Sequence, residues 1–534
     1  MIKTKWSFFK TALFISIFLI SSCGSGGGSG GGSGGATGGD DNISTIAISK
    51  YNVTPSIISK SNPQSIQFNW EVKRDDTSAE YYMDIYISQD DNLDNNDILL
   101  AQIKTKNAVG NFTLNTQTHS YEEISNLYCG QYYIIFRAHT NSKNYNIKYY
   151  PNFILKSKWS VIIYMDGDNS LCGEASDDLN KIVRVGSTSD VSVIIQVDTN
   201  SDTTKRLFIK PNESVLINDL GELNMADPST LTDFLNWSTD KYPADHYLLI
   251  LWNHGKGFKR KILYTRNIFW DETSNNTSMS IPDMAGSLAS LKNKINKKID
   301  IVGFDACLMN MLEVVYEIKD FSDVIIGSEN TEPVDGWPYE AILKYLVENV
   351  DAISIKDLAR RIVELYIDYY NYNTSDEATL SAIDTSQIDI LKDAVNELAV
   401  NFIDGLNKDT YGNLSNTIRT IILDKVQRFD DGDTDGIDRY DDSYVDLYHL
   451  CYLITTNPST YKNYAQNVID TLKNVIILSQ NTGGSVSNAY GLSIWFPDPN
   501  IYSLSKWNSY QHQYSELRFS IDTSWDDFIT TLWE

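Results

Sequence analysis

The sequence predicts an α/β protein, with a mostly parallel sheet flanked by helices, an antiparallel β-sandwich before it and a mainly helical region after it. Short, strongly apolar runs at 161–165 (VIIYM), 191–197 (VSVIIQV), 246–252 (HYLLILW), 299–304 (IDIVGF) and 324–326 (VII) alternate with helical segments. That is the pattern of strands buried on both faces of a sheet. Residues 43–156 instead alternate apolar and polar positions between turns, as at 65–72 (SIQFNWEV) and 132–138 (YYIIFRA), which fits a sandwich of immunoglobulin type. Beyond about 385 the apolar period is helical through 388–406, 414–428 and 445–454, and a strand-like run closes the chain at 491–496 (GLSIWF).

Each segment has its own reason. Residues 1–22 join Lys3, Lys5 and Lys10 to the apolar stretch 12–20, which is too short to span a bilayer comfortably and reads as an export signal. Residues 20–23 (ISSC) resemble the box at which bacterial lipoproteins are lipidated and cleaved, so Cys23 is expected to be a membrane anchor. Residues 23–42 are rich in glycine and serine and should behave as a flexible tether. The sandwich is assigned to 43–156, the parallel sheet to 157–385, and 386–534 to a helical part of the same unit. Within the sheet region, Asp227-Pro228 and the spacing of Ser280 to Asp283 predict helix starts. Residues 90–97 (DDNLDNND) read as a polar hairpin loop, with a calcium site as the alternative.

The formal charge of −26 disfavours nucleic acid and anionic lipid as partners and suits basic peptides. After Cys23, the cysteines Cys129, Cys172, Cys307 and Cys451 are far apart and lack metal-ligand spacing, so neither a disulfide framework nor a zinc site is indicated.

The chemistry sits at two strand tips. His254-Gly255 follows the run 246–252, and Asp305-Ala306-Cys307 follows 299–304. Reactive groups in a parallel sheet collect at the carboxyl ends of strands, so residues 53 positions apart in sequence can share a cleft. Cys307 suits a thiolate nucleophile and His254 its general base. Residues 308–318 read as a helix, which would place Cys307 in a first turn where the dipole favours negative charge. The amides of Gly255 and Cys307 are candidate oxyanion donors.

At these residues the chain resembles the clostripain-like family of cysteine peptidases, in the clan of caspases, gingipains and legumains. The resemblance rests on 163–171 (IYMDGDNSL), 251–256 (LWNHGK), 300–309 (DIVGFDACLM), 327–330 (GSEN), 332–339 (EPVDGWPY), 444–448 (YVDLY) and 490–497 (YGLSIWFP). It implies a caspase-like sheet, a Cys307 and His254 dyad, and cleavage of protein or peptide substrates after arginine or lysine. It further implies that Asp305 and Asp335 are the acids of the specificity pocket. The sequence agrees to this extent: Asp305 lies two residues before the nucleophile on an extended segment, and a buried carboxylate needs a cation such as a guanidinium. The alternatives are an inactive surface protein that binds through its sandwich, or a thiol transpeptidase on the same sheet.

No cofactor is required for this chemistry. Asp431, Asp433, Asp435, Gly436 and Asp442 follow EF-hand spacing in part, with aspartate for the usual last glutamate, and are the calcium candidates. Several members of the family are clipped between histidine and cysteine. Lys259, Arg260, Lys261 and Arg266 are therefore self-cleavage candidates in a polar segment expected to be exposed. Cys172, Cys451, His246 and His449 read as packing residues, and Asp166, Asp168 and Asn169 as braces for the first strand-end loop. His119, His139 and His512 lie in segments with no catalytic pattern.

Overall fold

The computed structural model of the chain describes residues 45–140, 144–259, 268–374, 376–409, 412–429, 443–456, 460–498 and 504–533. Its N-terminal part is two antiparallel layers around one apolar cluster. Strands Ile46–Thr54, Ile66–Arg74 and Val109–Leu114 form one layer. Strands Ile98–Thr105, Tyr81–Ser88, Gly130–His139 and the first part of Tyr145–Gly167 form the other. Strand alternation sorts the side chains: Ile66, Phe68, Trp70 and Val72 turn inward, and Phe68 meets Phe136 of the opposite layer with ring centroids 6.3 Å apart. Residues 90–97 form the connection between the paired strands Tyr81–Ser88 and Ile98–Thr105.

The central sheet begins where those layers end, on the same strand. Tyr145–Gly167 is 23 residues long; its second part pairs in parallel with Val191–Thr199 on one side and Ala244–Trp252 on the other. Ile299–Asp305 and Ser322–Gly327 extend the parallel array. All five expected apolar runs lie in these strands. Both edges turn antiparallel, through Asp202–Lys210 and Glu213–Asp219 at one end and Thr379–Asp384 and Ile476–Asn481 at the other. The edge strand Ile476–Asn481 belongs to the C-terminal part, which therefore completes the sheet.

Helices cover both faces. Along Ala244–Trp252, Leu249 and Leu251 face one cluster while Leu248 and Ile250 face the other. The first cluster takes Pro228–Lys241, Ile281–Ile295, Leu312–Ile318 and Ile388–Lys408; the second takes Cys172–Val185, Tyr339–Asn349 and Ile355–Asn373. Each aliphatic side chain so buried contributes roughly 1.5–3 kcal/mol. The predicted starts hold: Asp227 accepts from the Ser229 amide at 2.8 Å, and Ser280 from the Asp283 amide at 3.1 Å. The expected helix over 414–428 is shorter, Asn413–Thr417 and a π-helical turn Ile418–Leu423, after which Arg428–Phe429 joins Tyr444–Asp446 and Ser493–Trp495 in a small sheet. Among the described residues, no helix is long and apolar enough to cross a membrane.

Candidate active site

Ala244–Trp252 and Ile299–Asp305 are neighbours in the sheet, with Trp252 opposite Asp305. The register offset equals the sequence spacing, so His254 and Cys307 each stand two residues past paired tips. Parallel neighbours run about 4.8 Å apart. Past the tips the two segments touch: a Cβ on Gly255 would stand 2.2 Å from the Cys307 carbonyl oxygen and 2.9 Å from its nitrogen. Only glycine permits that approach.

The sulfur of Cys307 accepts from the Glu332 amide at 3.2 Å, and the amides of Gly255 and of Cys307 itself also face it. Burial pushes the thiol above its ordinary range and the Asp305 charge adds to this, while the three amides pull the other way. The expected helix over 308–318 is corrected here. The helix is Leu312–Ile318, and Leu308 takes a left-handed φ of 62°. Its amide donates to Asn330 O at 3.1 Å, and the Asn310 amide to Ser328 O at 2.9 Å, so the segment is tied across to the next strand end and does not coil. Convergent amides, and no helix terminus, stabilise negative charge at Cys307.

His254 is framed from the first strand end. Its Nε2 lies 2.9 Å from the Ser170 hydroxyl, and its ring centroid 5.7 Å from that of Trp270. Asn169 Nδ2 donates to Trp270 O at 2.8 Å and so joins the two framing residues. Asp166 does brace this edge: Asn253 Nδ2 donates to its carbonyl at 2.9 Å and to its carboxylate at 2.5 Å. Ser170 and Trp270 were not singled out in the sequence; the signal for Ser170 was its place directly after the bracing Asn169.

The two acids expected to form the specificity pocket occupy different settings. Asp305 is buried and accepts from Tyr339 OH at 2.6 Å and the Trp337 amide at 3.3 Å. Asp335 is exposed and accepts from Tyr369 OH at 3.1 Å. Asp178, absent from the sequence reading, and Glu332, given no role there, link them. Lys181 Nζ donates to Asp178 at 2.7 Å and to the Asp335 carbonyl at 2.8 Å. Asp178 and Asp335 line one cleft of about 550 Å³. A Cβ on Gly336 would meet the carboxyls of Asp178 at 3.0 Å and Asp305 at 3.3 Å.

Burial, with the Asp305 charge, raises Asp178 to about 7; burial raises Asp305; burial and the Asp305 charge raise Glu332. Both carboxyl oxygens of Glu332 are shielded from solvent, with the Asp305 carboxyl and the Trp337 indole as polar neighbours. An uncompensated buried charge costs several kcal/mol, more than the 1.5–3 kcal/mol of one hydrogen bond to it. Burial therefore favours the neutral form of this acid.

The remaining candidates fall elsewhere. Cys172 opens a helix with its sulfur 3.8 Å from Ser201 Oγ. Cys451 is core; His246 pairs with Asp300 at 2.8 Å, and His449 accepts from the Gln427 amide at 2.9 Å. Lys259, expected in an exposed segment, is buried with its ammonium over the rings of Tyr444 and Tyr510 at 4.5 and 5.2 Å. Cation–π contact and burial of the aliphatic stem explain this. Cys23, Arg260, Lys261, Arg266, Asp431, Asp433, Asp435 and Asp442 lie outside the described residues. A cluster that can hold a metal ion occurs instead at Asp168, Asp198 and Asp271, whose ligand atoms lie within 4.8 Å of one another.

Residues 163–533 match the family model described as the clostripain family, Peptidase C11. Clostripain of Hathewaya histolytica is 25% identical over 430 residues, 67% of this chain and 79% of that protein. Two solved structures share the fold. An inactive zymogen C11 protease from Parabacteroides distasonis gives a TM-score of 0.52 at 21% identity, covering 69% of this chain and 98% of that one. A secreted C11 cysteine protease from Bacteroides thetaiotaomicron, in complex with an irreversible peptide inhibitor, gives 0.50 at 22% identity, covering 67% and 98%.

Proposed function

We propose, because the chain belongs to the clostripain family of cysteine peptidases, that it is an endopeptidase cutting after arginine or lysine, with Cys307 as nucleophile and His254 as proton carrier. The observation that carries this reading is the in-register pairing that sets Gly255 against the Cys307 backbone, with amides turned to the sulfur. The thiolate attacks the scissile carbonyl carbon while His254 holds the thiol proton. The carbonyl oxygen, now anionic, takes the amides of Gly255 and Cys307. Collapse breaks the C–N bond, His254 gives its proton to the leaving amine, and water then releases the acyl group from sulfur.

Preference for a basic P1 side chain is supported by the acids behind the sulfur. Asp305 is buried within the loop that carries Glu332, and Asp335 stands on the outer side of the same loop. Glu332, shielded from solvent beside both Asp305 and Cys307, is where a guanidinium or ammonium would recover the energy of burial. A fluorogenic panel with arginine, lysine, leucine and glutamate at P1 tests this. Turnover confined to the basic pair is expected; equal turnover of leucine peptides would remove the pocket assignment, and aminolysis exceeding hydrolysis would make the enzyme a transpeptidase.

The chain is exported and held to a bacterial membrane through lipid on Cys23, with the N-terminal layers acting as an immunoglobulin-like sandwich beyond the tether. Metabolic labelling with palmitate, lost in Cys23→Ala, checks the anchor. Self-processing falls at Arg260, Lys261 or Arg266, since Lys259 is buried. The Parabacteroides relative, solved as an inactive zymogen, supports a precursor stage. Intact mass of wild type beside Cys307→Ala should show two fragments and one; a single chain in both would end the idea. The segment with Asp431, Asp433, Asp435 and Asp442 is a further calcium candidate.

A further inference from the structure

Three strand ends deliver carboxylates to one buried point beside the candidate dyad. Asp168 follows Tyr145–Gly167, Asp198 lies near the end of Val191–Thr199, and Asp271 ends Ile268–Asp271. All three are fully or almost fully buried. Their hydrogen-bond donors are neutral. The Thr273 hydroxyl donates to Asp168 Oδ2. Asp198 accepts from Thr204 Oγ1 at 2.8 Å and the Thr199 amide at 2.9 Å. Asp271 accepts from the amides of Met225 and Ser274, both at 2.8 Å. Among the described residues no lysine or arginine forms a salt bridge with any of them. Asp168 Oδ1, on a side chain that is 0% exposed, has no hydrogen-bond partner among the described residues.

We infer that Asp168, Asp198 and Asp271 bind a divalent hard cation, calcium by its chemistry, and that this ion holds the loops framing His254. The donor set is all oxygen, which suits calcium or magnesium over softer ions. Oxygens sharing one calcium at 2.3–2.6 Å stand at most about 5 Å apart. The ligand atoms of the three carboxylates lie within 4.8 Å of one another, inside the reach of one calcium, and a buried all-carboxylate set suits calcium over magnesium, which keeps several of its waters. Asp168 Oδ1 supplies a ligand with no other employment, and the Thr273 hydroxyl, which also donates to Glu222 at 2.8 Å, brings a fourth carboxylate to the rim.

The ion site itself does not depend on the peptidase reading; its consequence for His254 does. Asp168 is two residues before Ser170, which contacts His254 Nε2, and Asp271 is next to Trp270, whose ring lies against the imidazole. Drawing these two carboxylates together fixes both framing residues at once, as outer-shell partners fix a reactive group.

Terbium emission, sensitised by Trp270 beside the site, provides the test on the full-length chain freed of metal with EDTA. Saturable emission displaced by calcium is expected, together with a calcium-induced rise of a few degrees in the melting temperature. Asp198→Asn/Asp271→Asn should lose both, while Asp431→Ala/Asp435→Ala should keep both. Should the first variant not fold, Trp270→Phe leaves every carboxylate in place; it should lose the emission and keep the thermal shift. Emission and thermal shift that persist in the Asn variant, vanish in the Ala variant, or show no response to Trp270→Phe would overturn the site. If the ion acts on His254, calcium should raise kcat in wild type; a calcium-insensitive kcat in a protein that binds the ion would overturn the coupling alone.

Discussion

The N-terminal layers and the central sheet handle buried charge in opposite ways. Among the described residues of the layers, Asp84 is the one buried acid, and it is fully matched: Gln102 Nε2 donates at 2.9 Å and His139 Nε2 stands at 2.8 Å. The sheet region buries more acids: Asp300 is matched by Lys297 and His246, both at 2.8 Å, and Asp178 by Lys181 at 2.7 Å, whereas Asp166, Asp168, Asp198, Asp271, Asp305, Glu313, Glu329 and Asp446 have no lysine or arginine salt bridge among the described residues. A region built only to be stable satisfies its polar groups; one that leaves several acids short of partners keeps them for a ligand, a proton or a substrate. The contrast locates function in the sheet region without reference to any motif.

The largest test of that contrast is removal of the chemistry. Cys307→Ala or His254→Ala should lower kcat by roughly 10⁴–10⁶-fold with the melting temperature unchanged; residual turnover within tenfold of wild type would move the nucleophile elsewhere. Next, Asp305→Asn should cost roughly 2–5 kcal/mol in kcat/KM on arginine and lysine peptides. The same change removes a negative charge that raises the Cys307 thiol, so the pH profile of Cys307 alkylation should shift to lower pH. An unshifted profile would mean that burial alone sets the thiol.

A third variant asks whether the unmatched acids are stored as neutral groups. Glu313 accepts from the Trp495 amide at 2.8 Å and Tyr514 OH at 2.9 Å, and burial raises it to about 7. Its folded pKa lies above the unfolded one, so the fold holds an extra proton between about 4.5 and about 7. Its stabilising effect is complete below that window and lost as pH rises through it, by up to about 3 kcal/mol. Glu313→Gln keeps the accepting oxygen and cannot ionise. The melting temperature of the variant relative to wild type should therefore climb from pH 5 to pH 8; a flat difference would show that Glu313 is ionised throughout. The smallest effect belongs to the matched region: His139→Ala should cost about 1–3 kcal/mol of stability by stripping Asp84 of a partner, with kcat/KM unaltered.

The sequence carried more of the sheet than of its surroundings. Five apolar runs marked the parallel strands because burial on both faces leaves no polar alternation, and the spacing of His254 to Cys307 matched the register offset of their strands. The antiparallel edges Thr379–Asp384 and Ile476–Asn481 were less visible, since each carries polar residues that read as turn or helix boundary. The apolar run after Cys307 misled for a different reason. Leu308 is held left-handed by bonds to residues beyond the next strand, and Asn310 Nδ2 donates to Gly491 O at 2.9 Å, 181 residues away. Tertiary ties overrode a helical period. The two acid clusters were illegible for the same cause: Asp168, Asp198 and Asp271 come from three separate strand ends, and Asp178 and Glu332 from a helix and a loop that meet only in the folded chain.

One strand, Tyr145–Gly167, belongs to both regions compared above. Its first half is laced to Gly130–His139 and its second to Val191–Thr199 and Ala244–Trp252, with no break between. It therefore works as a shared beam. Whatever grips the N-terminal layers aims the cleft as a handle aims a blade, and any pull on them runs straight down the beam to Asp166, Asp168 and the residues that frame His254.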